Sequence, residues 1–254
     1  MSRDLTTIIR IILVPLVAFF VGMPFAMAYV SSSSNYRIQE DSVNNAGLLS
    51  TSTSYRIEDT VGESGVGTSS SASYAVKAGY QQMQQTYLAI IPPGNVSLAP
   101  NIPQSGGGSA DGTGAWTVVT DNLAGYSMTL ASQNAPAMQS GANNFANYIS
   151  GGANPDFAFT TPAAAARFGF SPEGGDIVQR FKDNGAACNV GALDSVSACW
   201  DPLSTTPATI ASRNSANNPG GTATTIRFHA ASGASNVQPA GSYTATATVT
   251  VLAL

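Results

Sequence analysis

Two cysteines, one histidine and a scatter of carboxylates are the residues in this chain whose types lend themselves to chemistry. Cys188 and Cys199 are close in sequence, and in an exported chain such a pair is expected to form a disulfide. Closing so short a loop contributes about 3 kcal/mol through the unfolded state. The alternative, a two-cysteine metal site, needs further ligands, and the sole histidine, His229, is distant in sequence. A Ser-His-Asp or Cys-His nucleophile requires a positioned imidazole. His229 alternates onto a polar strand face beside Arg227, where solvation is the expected state, and no Gly-x-Ser-x-Gly elbow is present. A glycosidase needs two carboxylates across one sugar bond. Glu173, Asp176, Asp183, Asp194 and Asp201 lie in a loop-rich stretch, but their spacing alone pairs none of them. Asp111-Gly-Thr-Gly and Glu173-Gly-Gly-Asp176 are thin for calcium, and no glycine-rich phosphate loop opens a helix. The expectation is therefore no catalytic residue, no named metal ligand and no cofactor, a structural calcium being left open, with a secreted hydrolase built on loop carboxylates ranked last. Among the aromatics, Trp200 directly follows Cys199 in a loop expected to be exposed, which makes it the candidate ligand contact, by stacking on a sugar face. Trp116 opens a strand and is expected in the core.

The elements that would position these residues read as β-strands behind an export signal. Arg3 and Arg10 precede an apolar run, Ile11 to Phe20, and Ala26-Met27-Ala28 forms a small-x-small cleavage site. Residues 1–28 read as a secretory signal, with Tyr29 first in the mature chain and a signal-anchored membrane protein as the alternative. There is no cysteine for lipid attachment near the run and no LPxTG sorting signal. Cleavage removes two positive charges and one negative, taking the formal charge from −4 to −5. Such a chain has no basic footprint for nucleic acid or anionic lipid. Only 9% of residues are charged, so Ser, Thr, Asn, Gln and Gly supply the polarity, which suits sheets and loops outside the cell.

Past the signal, Tyr36-x-Ile38, Tyr55-x-Ile57 and Tyr74-x-Val76 recur with a constant spacing of 19. Each places two large side chains on one strand face, and Gly/Ser/Asn-rich turns lie between, giving a strand-turn repeat over 29–85. Ser54-Tyr-Arg-Ile-Glu-Asp-Thr-Val-Gly-Glu63, followed by Gly67-Thr-Ser-Ser-Ser-Ala-Ser-Tyr-Ala-Val-Lys-Ala-Gly-Tyr80, resembles a segment of bacterial exported surface proteins. That resemblance spans about residues 33–82 and implies export, with no enzymatic activity and no functional residues to carry over.

Residues 86–114 are expected to hold short strands, Leu88-Ala-Ile-Ile91 and Val96-Ser-Leu98, and a Gly/Ser-rich linker, Gln104 to Gly114. A β-sandwich-like domain is expected over 115–254. Trp116–Thr120 and Gly125–Leu130 suggest a hairpin across Asp121–Gly125. Ile226, Phe228 and Ala230 alternate with Thr225, Arg227 and His229. In the last strand, Tyr243, Ala245, Ala247, Val249 and Val251 share one face and threonines the other. This terminal strand, opened by Ala240-Gly-Ser-Tyr-Thr244, is similar to the closing strand of fimbrial and spore-coat-like β-sandwich subunits. The middle, 132–222, reads as long irregular loops, with Pro162-Ala-Ala-Ala-Ala-Arg167 as a short helical turn.

The fold class expected is mainly β: a small antiparallel strand-repeat region plus a β-sandwich-like domain with long loops. The function expected is a non-enzymatic, secreted or cell-surface protein, adhesive or structural, with a glycan-binding module as the alternative. The partner is open: a surface glycan, a protein, or a second copy paired through an edge strand, and no nucleic acid. If 241–252 were instead an internal strand, pairing on both sides would close that last route.

Overall fold

A computed structural model describes residues 86–254 throughout and, before them, residues 49–51, 56–58, 61–62, 66–70 and 75–80. The chain divides into two units, Met1–Gln85 and Thr86–Leu254. The signal peptide and Tyr36, Tyr55 and Tyr74 lie outside the described residues.

In the first unit the described strands form two antiparallel pairs. β1 (Leu49–Thr51) pairs with β2 (Arg56–Glu58), and β3 (Gly67–Ser70) pairs with β4 (Ala75–Ala78). Ile57 and Val76, from the second and third repeats, fall in β2 and β4.

The second unit is a sandwich of two unequal sheets. Its strands are β5 (Leu88–Ile91), β6 (Gly108–Thr120), β7 (Tyr126–Ser132), β8 (Met138–Ser140), β9 (Asn143–Asn147), β10 (Ala166–Glu173), β11 (Asp201–Pro202), β12 (Ala208–Arg213), β13 (Thr222–Ser232), β14 (Thr244–Ala245) and β15 (Ala247–Ala253). Eight strands make the large sheet in the order β14-β8-β9-β10-β13-β6-β5, with β11 also paired to β10, and three make the small one, β12-β7-β15. The mainly β class is therefore observed, and within 86–254 the only helical element is a 3₁₀ turn, Gln179–Phe181.

Period-2 alternation explains the core. In register, Phe168 faces Ala230 and Ala110, and Phe170 faces Phe228 and Gly112, so these side chains share the inner face of the large sheet. Against them pack Tyr126, Met128 and Leu130 of β7, all buried, and the Ala247, Val249 and Val251 row of β15. The terminal alternation reads as expected, threonines outward, but the strand changes sheets. Residues 244–245 pair with β8 in the large sheet and 247–253 with β7 in the small one, which stitches one corner of the sandwich. In the small sheet β15 is the end strand, not an internal one.

Four expectations are corrected. The Gly/Ser-rich run to Gly114 is no linker, because β6 begins at Gly108. Its glycines let another segment lie on the sheet: a Cβ on Gly112 would meet the Ser97 carbonyl oxygen at 2.7 Å and Val96 at 2.8 Å, and one on Gly114 would meet Pro93 at 2.9 Å. Val96-Ser-Leu98, which crosses there, is not a strand, and only Ala99 bridges to Asp111. The hairpin across 121–125 does not form, since β6 and β7 belong to different sheets. The connection is a corner, in which Asn122 Nδ2 donates to the carbonyls of Gly125 and Leu254, and Gly125 (φ +83°) abuts the Arg213 carbonyl. Finally, the middle is not all loop: β8 to β12 lie in it, and β10 is interior to the large sheet. Pro162 starts a turn, with Ala165 N–H donating to its carbonyl, and the chain enters β10 directly.

Candidate functional site

The small sheet leaves part of the large sheet's inner face uncovered by strands. Residues 92–104 cross this area on one side and 238–247 border it on the other, leaving a groove between. Two lobes of about 540 and 360 Å³ share Leu98, Met138 and Tyr243. Trp116, Phe168 and Phe228 line the larger lobe, and Ala110, Phe145 and Ala230 the smaller. No described residue lining either lobe is charged.

Each wall has a local cause. Pairing of β5 stops at Ile91, where Pro92 and Pro93 lack amide protons, and residues 92–98 make no backbone hydrogen bond to other described residues. The glycines of β6 hold this unpaired segment against the sheet. On the far wall, Tyr243 is fixed by three contacts. Its hydroxyl donates to the Pro239 carbonyl at 2.7 Å, it accepts from Gln238 Nε2 at 2.8 Å, and its ring meets Phe145 edge-on at 5.0 Å. The Gln238 amide donates to the Gln104 carbonyl at 2.8 Å, which joins the walls at that end. Trp116 is half-buried, its indole lying back over Gly114.

The candidate contact and the candidate chemistry residues lie outside this groove, with Trp200 and His229 packed on the opposite face of the large sheet. Cys188 and Cys199 form the expected disulfide. Trp200, the candidate contact, is 2% exposed, so the exposed stacking platform is corrected to a core residue. Its indole N–H donates to the Ser197 carbonyl, and its ring packs against Phe159 at 5.3 Å and His229 at 5.2 Å. Gly169 explains the arrangement. It sits beside His229 in register, and a Cβ there would crowd Tyr148 and Phe159, so the bare backbone receives the aromatic layer. His229 is likewise not solvated. Its side chain is 15% exposed, Phe159 lies 4.3 Å away, and Nδ1 is 2.7 Å from Asp111 Oδ1. A carboxylate-oriented imidazole is half of a nucleophilic site, but no described hydroxyl or thiol is hydrogen-bonded to it.

The five loop carboxylates are spent on separate structural tasks. Glu173 pairs with Arg227 at 2.8 Å and Asp201 with Arg180 at 2.8 Å. Asp176 takes Arg213 at 3.2 Å and the Tyr126 hydroxyl at 2.9 Å, and Asp194 accepts the Gly174 amide at 2.7 Å. Burial foremost, then the Asp176 carboxylate, pushes the Tyr126 hydroxyl up. Burial raises Asp201 despite its arginine, and raises Asp194.

Asp183 goes the other way. Inaccessible to water beneath its own loop, it suffers desolvation, yet the amides of Ser195 and Gly185 and the Ser195 hydroxyl outweigh that and hold it below its usual 3.8. A lowered carboxylate stabilises the fold fully above its unfolded value, and that contribution drains away as pH falls through the folded value. Asp194 and Asp201, being raised, act with the opposite sign. The expected result is that Asp183→Asn loses stability at neutral pH and that its gap from wild type narrows below about pH 4. Urea midpoints across the acid range measure this, and a constant gap would refute it.

No family model, no curated protein and no solved structure matches this chain.

Proposed function

We propose that this is a non-enzymatic, exported component of a bacterial surface or envelope, adhesive or structural in role. The observation that carries the reading is how the chain uses its chemistry. Its disulfide, histidine and loop carboxylates are committed to contacts within the fold, whereas the open groove carries no charge. A disulfide suits an oxidising compartment, and the Arg3-to-Ala28 signal supplies the route. No helix among the described residues is long and apolar enough to cross a membrane.

The structural role rests on sheet edges. β5 and β15 each end their sheet, carry no charge or proline, and expose Ile90, Ile91 and Leu252. Natural edge strands are usually guarded by such residues, and unguarded ones pair with other strands. The expected result for protein released from cells is an intact mass starting at Tyr29, two hydrogens lighter for the disulfide, and a ladder of oligomers. Thr250→Lys, a charge on the outward face of β15, collapses the ladder to monomer without lowering the thermal midpoint. A chain that retains residues 1–28 overturns secretion in favour of a membrane anchor, and a monomeric wild type overturns assembly through β15.

The second reading, a secreted glycan-binding module, is favoured by the groove and not by Trp200.

A further inference from the structure

We propose that the groove between residues 92–104 and 238–247 binds a neutral saccharide chain. The proposal rests on the surface reading for its biological setting but not for its test. Three observations converge. The larger lobe contains Trp116, the one tryptophan that is not fully buried, and the lobes meet at Tyr243, whose ring is fixed at both ends. Fixed aromatic faces match the apolar C–H faces of sugar rings and lose little entropy on binding.

The near wall carries Asn95, Asn101 and Gln104, all exposed, and none of their side-chain amides has a hydrogen-bond partner among the described residues. Elsewhere such groups are employed: Asn122 ties the corner and Asn217 clasps Thr120 and Val118. The peptide groups of 94–98 on the same wall make no backbone hydrogen bond among the described residues either. Hydroxyl-rich ligands satisfy groups of this kind, whereas a lipid tail or apolar peptide side chains would strip them of water with no return.

The third observation is the absence of charge in the lining. An anionic polymer such as a uronate chain would find no lysine or arginine, so the chemistry selects a neutral one. Two connected lobes fit several consecutive sugar units better than a single monosaccharide, and the Gln238–Gln104 bond closes one end, so the chain enters from the Pro92 and Ala247 side.

The test is affinity electrophoresis of the mature protein through gels carrying a soluble β-glucan, a mannan, a galactan or, as the charged control, alginate. Retardation is expected with at least one neutral polymer and is expected to survive high salt, because no ion pair is involved. Trp116→Ala and the double change Asn101→Ala with Gln104→Ala are expected to weaken it about tenfold, the scale of one lost stacking contact or of one or two lost hydrogen bonds. The amide pair is exposed, so it leaves folding intact even if the tryptophan variant does not. Trp116→Phe separates stacking from signal. The emission change on binding comes from Trp116, since Trp200 is sealed, so this variant still binds while its fluorescence stays flat. Retardation by alginate alone, by no polymer, or undiminished in both weakened variants overturns the site. Each of those results leaves export and surface location standing, because the mass measurement reads them separately.

Discussion

Trp200→Ala is expected to cost about 3–5 kcal/mol of unfolding free energy, the range for deleting a large buried aromatic. Trp200 is among the largest fully buried side chains and ties three parts of the molecule together. It meets Phe159 from the 148–160 loop and His229 from β13, and its backbone bridges Asp156 in both directions, at 2.8 and 3.0 Å. Removing the indole leaves a space against Phe159 and His229, and His229 is held by Asp111 and Phe159, so the cavity cannot collapse cheaply. The imidazole of His229 also loses a neighbour on the side away from Asp111. A denaturant titration measures the loss. A cost below about 1 kcal/mol, the level of ordinary surface changes, would show that the aromatic layer is not part of the cooperative core. Saccharide retardation of the still-folded fraction is expected to be unchanged, because the groove opens on the inner face of the sheet and Trp200 lies on the outer one.

That separation explains which parts of the molecule were legible in the sequence. Strands whose two faces differ announce themselves. β7, β13 and β15 alternate between apolar and polar residues, and their faces lie as the alternation predicts. β6 and β10 hid because their alternation runs through small residues. Ala110, Gly112, Gly114, Trp116 and Val118 are a period-2 row, but glycines ordinarily argue for a loop, and here they make room for a coil. In β10, Phe168 and Phe170 alternate around Gly169, and Pro172 breaks the pattern just before the strand ends. The site was misdirected for a different reason. Adjacency to a cysteine in a loop suggested exposure for Trp200, yet that loop folds back as a cover over the sheet. Trp116 has its own strand, which suggested burial, yet the small sheet does not reach over it. Neither outcome is local in sequence: Trp200 depends on a loop folding back over one face of the sheet, and Trp116 on how far the small sheet extends across the other. The clue that was available is compositional: Pro92-Pro93 followed by free amides, opposite a glycine-lined strand.

Loss of the Cys188–Cys199 link is expected to cost about 3 kcal/mol, through the chain entropy of a loop of this size. The loop it closes is the cover itself. Ser171 donates its hydroxyl to the Ala198 carbonyl beneath it, Asp183 bridges Leu193 through two backbone bonds of 2.9 Å, and Trp200 follows immediately. Both sulfurs belong to buried residues, 5% and 1% exposed, so a mild reductant is expected to leave the native protein oxidised and to act only as it unfolds. The informative form of the experiment is therefore a double Cys→Ser variant combined with Asp183→Asn. The disulfide and the Asp183 cluster constrain the same loop by independent means. If each acts by holding a shared cover in place, the second removal costs less than the first, and the double-mutant cycle shows a coupling of about 0.5 kcal/mol or more. Strict additivity would mean that the two devices hold separate structures and that the loop is no cooperative layer. Coupling would instead assign the disulfide and the buried aspartate to a single task. They hold one cover in place, apart from a groove whose lining is free of charge.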